Sequence, residues 1–189
     1  MKTIISTLLY LFLTVTSFGQ LTKGNWLTGG NAKLYLFREN NSTSTYDYNY
    51  TQIDLSANVG YFVADKIALG LRPTFSSFKG GYYATGGSIS TNSQRYLIGP
   101  YGRYYFLPTE KDFNILTDIS YQYGILGGGL KGNASTFSAA AGPVIFFNSS
   151  VGMEFLLGYS SSKEDADYGY SFERKGFQFL IGFQIHLEK

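Results

Sequence analysis

Few residues in this chain could do bond-making chemistry. There is one histidine, His186, and no cysteine, so thiol nucleophiles, disulfides and thiolate metal sites are excluded. As a general base, His186 would need a Ser or Thr nucleophile and an orienting carboxylate. It stands instead in an alternating apolar segment close to the chain's end, and we read it as a structural polar residue. Glu164, Asp165, Asp167 and Glu173 cluster where calcium could use their oxygens, but the spacing lacks a full ligand loop. Lys163, Arg174 and Lys175 partly neutralise them, so the cluster reads as solvated loop. No metal or cofactor is expected. A more orderly set is Lys33, Asp54, Arg72, Arg103, Asp118 and Glu154, one charge to each of six apolar segments and balanced in sign. Tyr46, Tyr48, Tyr50, Tyr82 and Tyr83 fall among Ser, Asn and Gly, the palette of adaptable binding loops, and are candidate contacts for an unknown extracellular ligand.

The elements that carry these residues follow from composition and period. The chain has 189 residues, 15% charged and 18% aromatic, with 23 Gly. Disordered chains are charge-rich and aromatic-poor, so disorder is excluded. A net charge of +2 gives no case for a nucleic-acid partner. Met1-Lys2, the apolar run Ile4 to Val15 and Ser17-Phe18-Gly19 form the layout of a cleaved export signal over residues 1–19. Residues 20–189 then make one domain, with no apolar run long enough for a membrane helix. No cysteine follows the cut, so a lipoprotein anchor is excluded.

Period-two alternation, the mark of a strand with unlike faces, recurs in eight segments: 26–38, 53–63, 67–78, 94–107, 113–125, 135–147, 151–162 and 177–187. Short turns at 64–66, 108–112 and 148–150 alternate with long polar connections at 39–52, 79–93, 126–134 and 163–176. All long loops therefore fall at one end. This predicts an all-β, eight-stranded antiparallel up-and-down transmembrane β-barrel. The apolar face carries no charge: in the third segment it reads Ile67, Leu69, Leu71, Pro73, Phe75. The six charges above, with Arg95, take the opposite face. A soluble barrel would turn the apolar face inward, but an eight-stranded interior is too small for that many aromatic rings. Trp26, Tyr61, Tyr104, Phe106, Phe113 and Phe147 lie at the short-turn end of the apolar face. Phe75, Tyr96, Tyr121, Tyr123, Phe137, Tyr159 and Phe177 lie at the other, as two membrane interfaces would select. The apolar face is expected to meet lipid and the charges to pair in a lumen, forming a plug in preference to a conduit. Pro73, Pro100 and Pro143, inside strands that have no free edge, predict bulges or local ladder breaks.

Lys23-Gly24-Asn25-Trp26-Leu27-Thr28-Gly29-Gly30 resembles the first strand of small bacterial outer-membrane β-barrel domains, a porin-like surface-antigen family that includes the OmpA/OmpX-like barrels. Gly182-Phe183-Gln184-Ile185-His186-Leu187 is similar to the C-terminal signal read by the outer-membrane barrel assembly machinery. The chain departs by ending in Leu187-Glu188-Lys189 instead of an aromatic, and by Leu180 where that signal has a polar residue. The resemblance implies a cell-envelope protein whose partners are outer-membrane lipid and that machinery. We expect a structural or surface-interaction role without catalysis. The alternatives are a narrow channel, a lipid-modifying barrel enzyme and a secreted soluble barrel.

Overall fold

The computed structural model describes residues 21–40, 47–84, 87–148 and 150–187. The expected signal segment and Tyr46 lie outside them. Eight strands run in chain order: β1 (Trp26–Asn40), β2 (Asp47–Ala64), β3 (Ile67–Ala84), β4 (Gly87–Tyr105), β5 (Phe113–Gly128), β6 (Gly132–Phe146), β7 (Val151–Ala166) and β8 (Tyr170–Leu187). Each pairs antiparallel with its neighbour in sequence, and β8 returns to β1, so the sheet is a closed barrel. Side-chain alternation then divides each strand between an outer and an inner face. On β5 the division is clean, with Ile115, Ile119, Tyr121, Tyr123 and Ile125 exposed and Asn114, Leu116, Asp118, Ser120 and Gln122 buried.

The apolar face is therefore the outside. Leu34, Leu55, Leu69, Leu71, Ile98, Leu157 and Phe179 all stand exposed on it. The aromatic positions sit in two tiers with rings touching within each: Trp26–Tyr61 and Tyr104–Phe106 in one, Phe75–Tyr96 and Tyr159–Phe177 in the other. From Tyr96 to Phe106 the strand rises roughly 33 Å, which at a tilt of about 40° is roughly 25 Å of height, the thickness of an outer-membrane apolar band.

One expectation needs correction. The segments read as long loops are mostly strand. β1 and β2 pair out to Asn40↔Asp47, β3 and β4 to Ala84↔Gly87, and β7 and β8 to Ala166↔Tyr170. Their Ser-, Thr-, Asn- and Tyr-rich sequences lack the apolar alternation that lipid imposes, yet still satisfy a ladder. Crossing the apolar band takes about ten residues, so strands of 15 to 19 residues project well past it. At the prolines the expected local ladder breaks occur, without bulges. The β2–β3 ladder skips from Ser56↔Thr74 to Val59↔Leu71, β4–β5 from Ile98↔Tyr123 to Tyr101↔Ser120, and β6–β7 from Ala141↔Leu157 to Val144↔Glu154, each in unchanged register. A residue's N–H and C=O point to the same neighbour in an antiparallel sheet, so the missing donor costs one side only. On its other side each proline stays paired: Pro73↔Ile98, Leu71↔Pro100 and Ile115↔Pro143. The register shift in β2–β3 lies elsewhere, between Phe62 and Ala64 beside the turn.

The β1–β8 ladder is short. It runs from Trp26↔Leu187 to Gly30↔Phe183, five pairs, after which the two strands continue without pairing to each other among the described residues.

Candidate functional site

The interior is stratified. At the short-turn end, Leu27, Phe62, Tyr105, Leu116, Val144 and Phe146 are buried, with Leu21 tucked beneath them from the segment before β1. Lys66 N–H donates to the Leu21 carbonyl at 2.7 Å and holds that segment against the turn. His186 sits in this apolar layer, its ring within 5.5 Å of both Phe62 and Phe146. The alternation placed it on the inner face as a polar residue, and the side chains around it there are aromatic. The sequence signal was charge, and these strand ends mark the interior with rings instead.

Above that floor lies the ion-pair cluster. Arg72, on β3, donates from Nη1 and Nη2 to the two oxygens of Asp118 at 2.9 and 2.7 Å, and from Nε to Asn58 at 2.6 Å. Arg103, on β4, donates from Nε to Asp118 at 2.7 Å. Its Nη1 reaches Glu154 at 2.8 Å and Gln184 at 3.2 Å, and its Nη2 reaches Glu154 at 3.2 Å. Arg103 and Asp118 are register neighbours on adjacent strands. Arg72–Asp118 and Arg103–Glu154 instead reach past a strand or more, from β3 to β5 and from β4 to β7. The cluster thus ties β2 (Asn58) to β8 (Gln184) across the bore. Arg103, Asp118 and Glu154 are 3%, 5% and 2% exposed, so their desolvation must be offset chiefly by this mutual pairing.

Tyr101 lies against the cluster, its ring 4.9 Å from the Arg72 guanidinium carbon and 5.7 Å from that of Arg103. Its hydroxyl is buried without a hydrogen-bond partner among the described residues. Glycine makes room for it: a Cβ on Gly70 would lie 2.7 Å from the Tyr101 ring, and one on Gly60 would strike the hydroxyl itself. Gly182 does the same for Glu154, whose Oε1 lies 2.7 Å from where a Cβ would stand.

Of the charges singled out in the sequence, Arg72, Arg103, Asp118 and Glu154 come together. Asp54 stays apart and accepts from Gln52 Nε2 at 3.1 and 2.9 Å. Lys33 is in register with Asp54, but its side chain lies outside the described set, as do those of Tyr48, Tyr82 and Tyr83. Those three belong to strands, not loops, with Tyr48 in register with Tyr82. Tyr50 packs its ring 5.5 Å from that of Phe78.

A hydroxyl and amide layer follows, in which Thr74 meets Ser56 at 2.7 Å and accepts from Gln122 at 2.8 Å. At the rim a second ionic group appears that the sequence reading missed. Glu164, assigned above to a solvated acidic loop, is buried and joined to Arg95 at 3.0 Å and Arg174 at 3.1 Å. The even-numbered inner face of β7, from Glu154 onward, would have carried Glu164 inward had the strand been extended past residue 162. Asp165 faces away and pairs with Lys163 at 2.9 Å. Among the described residues no group of three or more metal-ligating side chains gathers.

A closed barrel of eight antiparallel strands, apolar outside and ionic within, has the fold of the small outer-membrane β-barrels and agrees with the OmpA/OmpX-like resemblance of its sequence. It is similar to the crystal structure of the outer membrane protein OprG from Pseudomonas aeruginosa, at 12% identity and a TM-score of 0.58, covering 90% of this chain and 100% of that one. It is also similar to the N-terminal β-barrel domain of Pseudomonas aeruginosa OprF, at 12% identity and a TM-score of 0.44, covering 88% and 98%. At such identity the likeness is one of fold. No family model matches the sequence, and no curated protein matches it.

Proposed function

We propose that this chain is an outer-membrane barrel with a closed bore, serving a structural or surface-interaction role without catalysis. Residues 1–19 act as a cleaved export signal, and the barrel assembly machinery inserts the remainder. The observation that carries the reading is the pairing of Arg72, Arg103, Asp118 and Glu154 across the interior, between an apolar floor and a polar rim, inside an outer surface suited to lipid. A bore filled by side chains excludes solutes. Strands that project past the apolar band would present a tall polar rim to the exterior, a surface fit for contact with other molecules.

Two measurements test this. The full chain should fractionate with the outer membrane and migrate faster on gels unheated than heated. Recovery as a soluble protein without detergent would overturn the membrane reading. In planar bilayers the purified barrel should give no single-channel steps, and steps abolished by adding mass at the cluster would replace the closed barrel with a channel. Unchanged lipid A on overexpression is the expected result for a protein that does not modify lipid.

A further inference from the structure

At the rim, above the hydroxyl layer, the interior opens into a cavity of about 420 Å³, lined by Tyr50, Gln52, Phe78, Arg95, Glu164 and Arg174 among others. This lies within the usual range for small-molecule pockets, roughly 300–1,000 Å³. The ion-pair cluster of Arg72, Arg103, Asp118 and Glu154 lies below it. Its charges do not balance. Among the described residues two guanidinium groups share the single carboxylate of Glu164, an excess of one positive charge in that group.

The two arginines are held differently. Arg95 is anchored, with Nη1 on Glu164 and Nη2 donating to Ser76 Oγ at 3.2 Å. Its Nε is buried with no hydrogen-bond partner among the described residues, and a buried charged donor left unmet is costly. Arg174 comes from the projecting part of β8, and its side chain is 67% exposed, free to turn toward an incoming group at small cost. Asp54 accepts from Gln52 and does not line the cavity. Three rings stand in the remaining wall, beside Leu126, Leu130 and the polar Ser93 and Gln94: those of Tyr50 and Phe78 lie 5.5 Å apart, and Phe172 is half exposed.

We infer that this cavity binds a small organic anion with a flat apolar body, of the size of a monocarboxylate carried on one aromatic ring. The carboxylate accepts from Arg95 and Arg174, whose planar forks suit it, and cancels the excess charge. The ring lies against Tyr50, Phe78 and Phe172. A second carboxylate would oppose Glu164, so dianions are disfavoured. A neutral ring would leave the excess charge unanswered, and a small anion without a ring would leave those three rings wet. The site takes from the proposed function only the placement of the rim outside the lipid, and it does not depend on whether the bore conducts.

The test is calorimetric titration of the full-length barrel in detergent micelles, with phenylacetate as the probe and protein-free micelles as the blank. Saturable binding is expected, with acetate and 2-phenylethanol each at least tenfold weaker. Arg95→Gln and Arg174→Gln should each weaken phenylacetate at least tenfold, whereas Lys175→Gln, an exposed neighbour, should not. Folding of every variant is checked by heat-modifiable migration. If Arg95→Gln fails to fold, Arg174→Gln carries the test, since its side chain is mostly in solvent. Equal affinity for phenylacetate and 2-phenylethanol, or affinity untouched by the arginine variants, would overturn the inference while leaving the fractionation and conductance results intact.

Discussion

Replacing Arg103 with methionine probes the cluster at its centre. Asp118 keeps both hydrogen bonds from Arg72, so it does not become an orphan charge. Glu154 does: it loses Arg103 contacts at 2.8 and 3.2 Å while remaining 2% exposed. Removing one partner of a buried ion pair costs about 3–5 kcal/mol, whereas replacing both by apolar groups of similar volume is often neutral. Because half of the Arg103 pairing is covered by Arg72, we expect the lower bound, about 3 kcal/mol, for Arg103→Met. Glu154→Leu leaves Arg103 held by Asp118 and Gln184 and should cost about 1–2 kcal/mol. The double variant removes both charges together and should fall within about 1 kcal/mol of the parent, giving a coupling of about 3 kcal/mol. Urea unfolding in lipid vesicles, followed by the single tryptophan, Trp26, and by heat-modifiable migration, measures all three. If the two single changes simply added in the double variant, the pairing would not be what keeps these charges tolerable.

Other consequences are as direct. Tyr101→Phe removes a buried hydroxyl that has no hydrogen-bond partner among the described residues and should stabilise the barrel by about 1 kcal/mol. Gly60→Ala, whose new methyl would strike that hydroxyl, should cost about 1–3 kcal/mol and be largely rescued by adding Tyr101→Phe, read in the same urea titration. Pro100→Val restores an N–H facing the broken stretch of the β4–β5 ladder, and a gain of about 0.5–1.5 kcal/mol is expected. Hydrogen exchange should be at least a hundredfold faster at the β1 amides facing β8 beyond Asn31, which have no ladder partner there, than in the fully paired β3–β4 hairpin. Equal protection would refute the open seam.

The faces of the strands were legible because alternation is geometry: Ile115, Thr117 and Ile119 must point away from Leu116 and Asp118 whatever surrounds the sheet. The meeting of Arg72, Arg103 and Asp118 followed from the faces alone, but the height at which each sits did not, since it depends on register between strands. Two things were hidden. Strand continues through Asn40, Asp47 and Ala166 because hydrogen bonding, not apolar patterning, sustains it outside lipid. Phe62, Tyr105 and Phe146 point inward without a charge to betray them, and an aromatic residue looks the same in sequence whether it meets a membrane or a floor.

The five-pair seam between β1 and β8 also sets an order of events. Every other hairpin closes a loop of a few residues, whereas joining Gly30 to Phe183 closes one of roughly 150. By the logarithmic law for loop closure that difference is about 3 kcal/mol of chain entropy, set against the shortest ladder in the molecule. Seven hairpins can zip locally as the chain arrives, and the cylinder is shut last, by its weakest stitch. Glu154 and Gln184, which meet Arg103 from β7 and β8, are then the groups that draw the late strands onto the early ones. The ionic cluster inside the barrel is also the clasp that joins the late strands to the early ones.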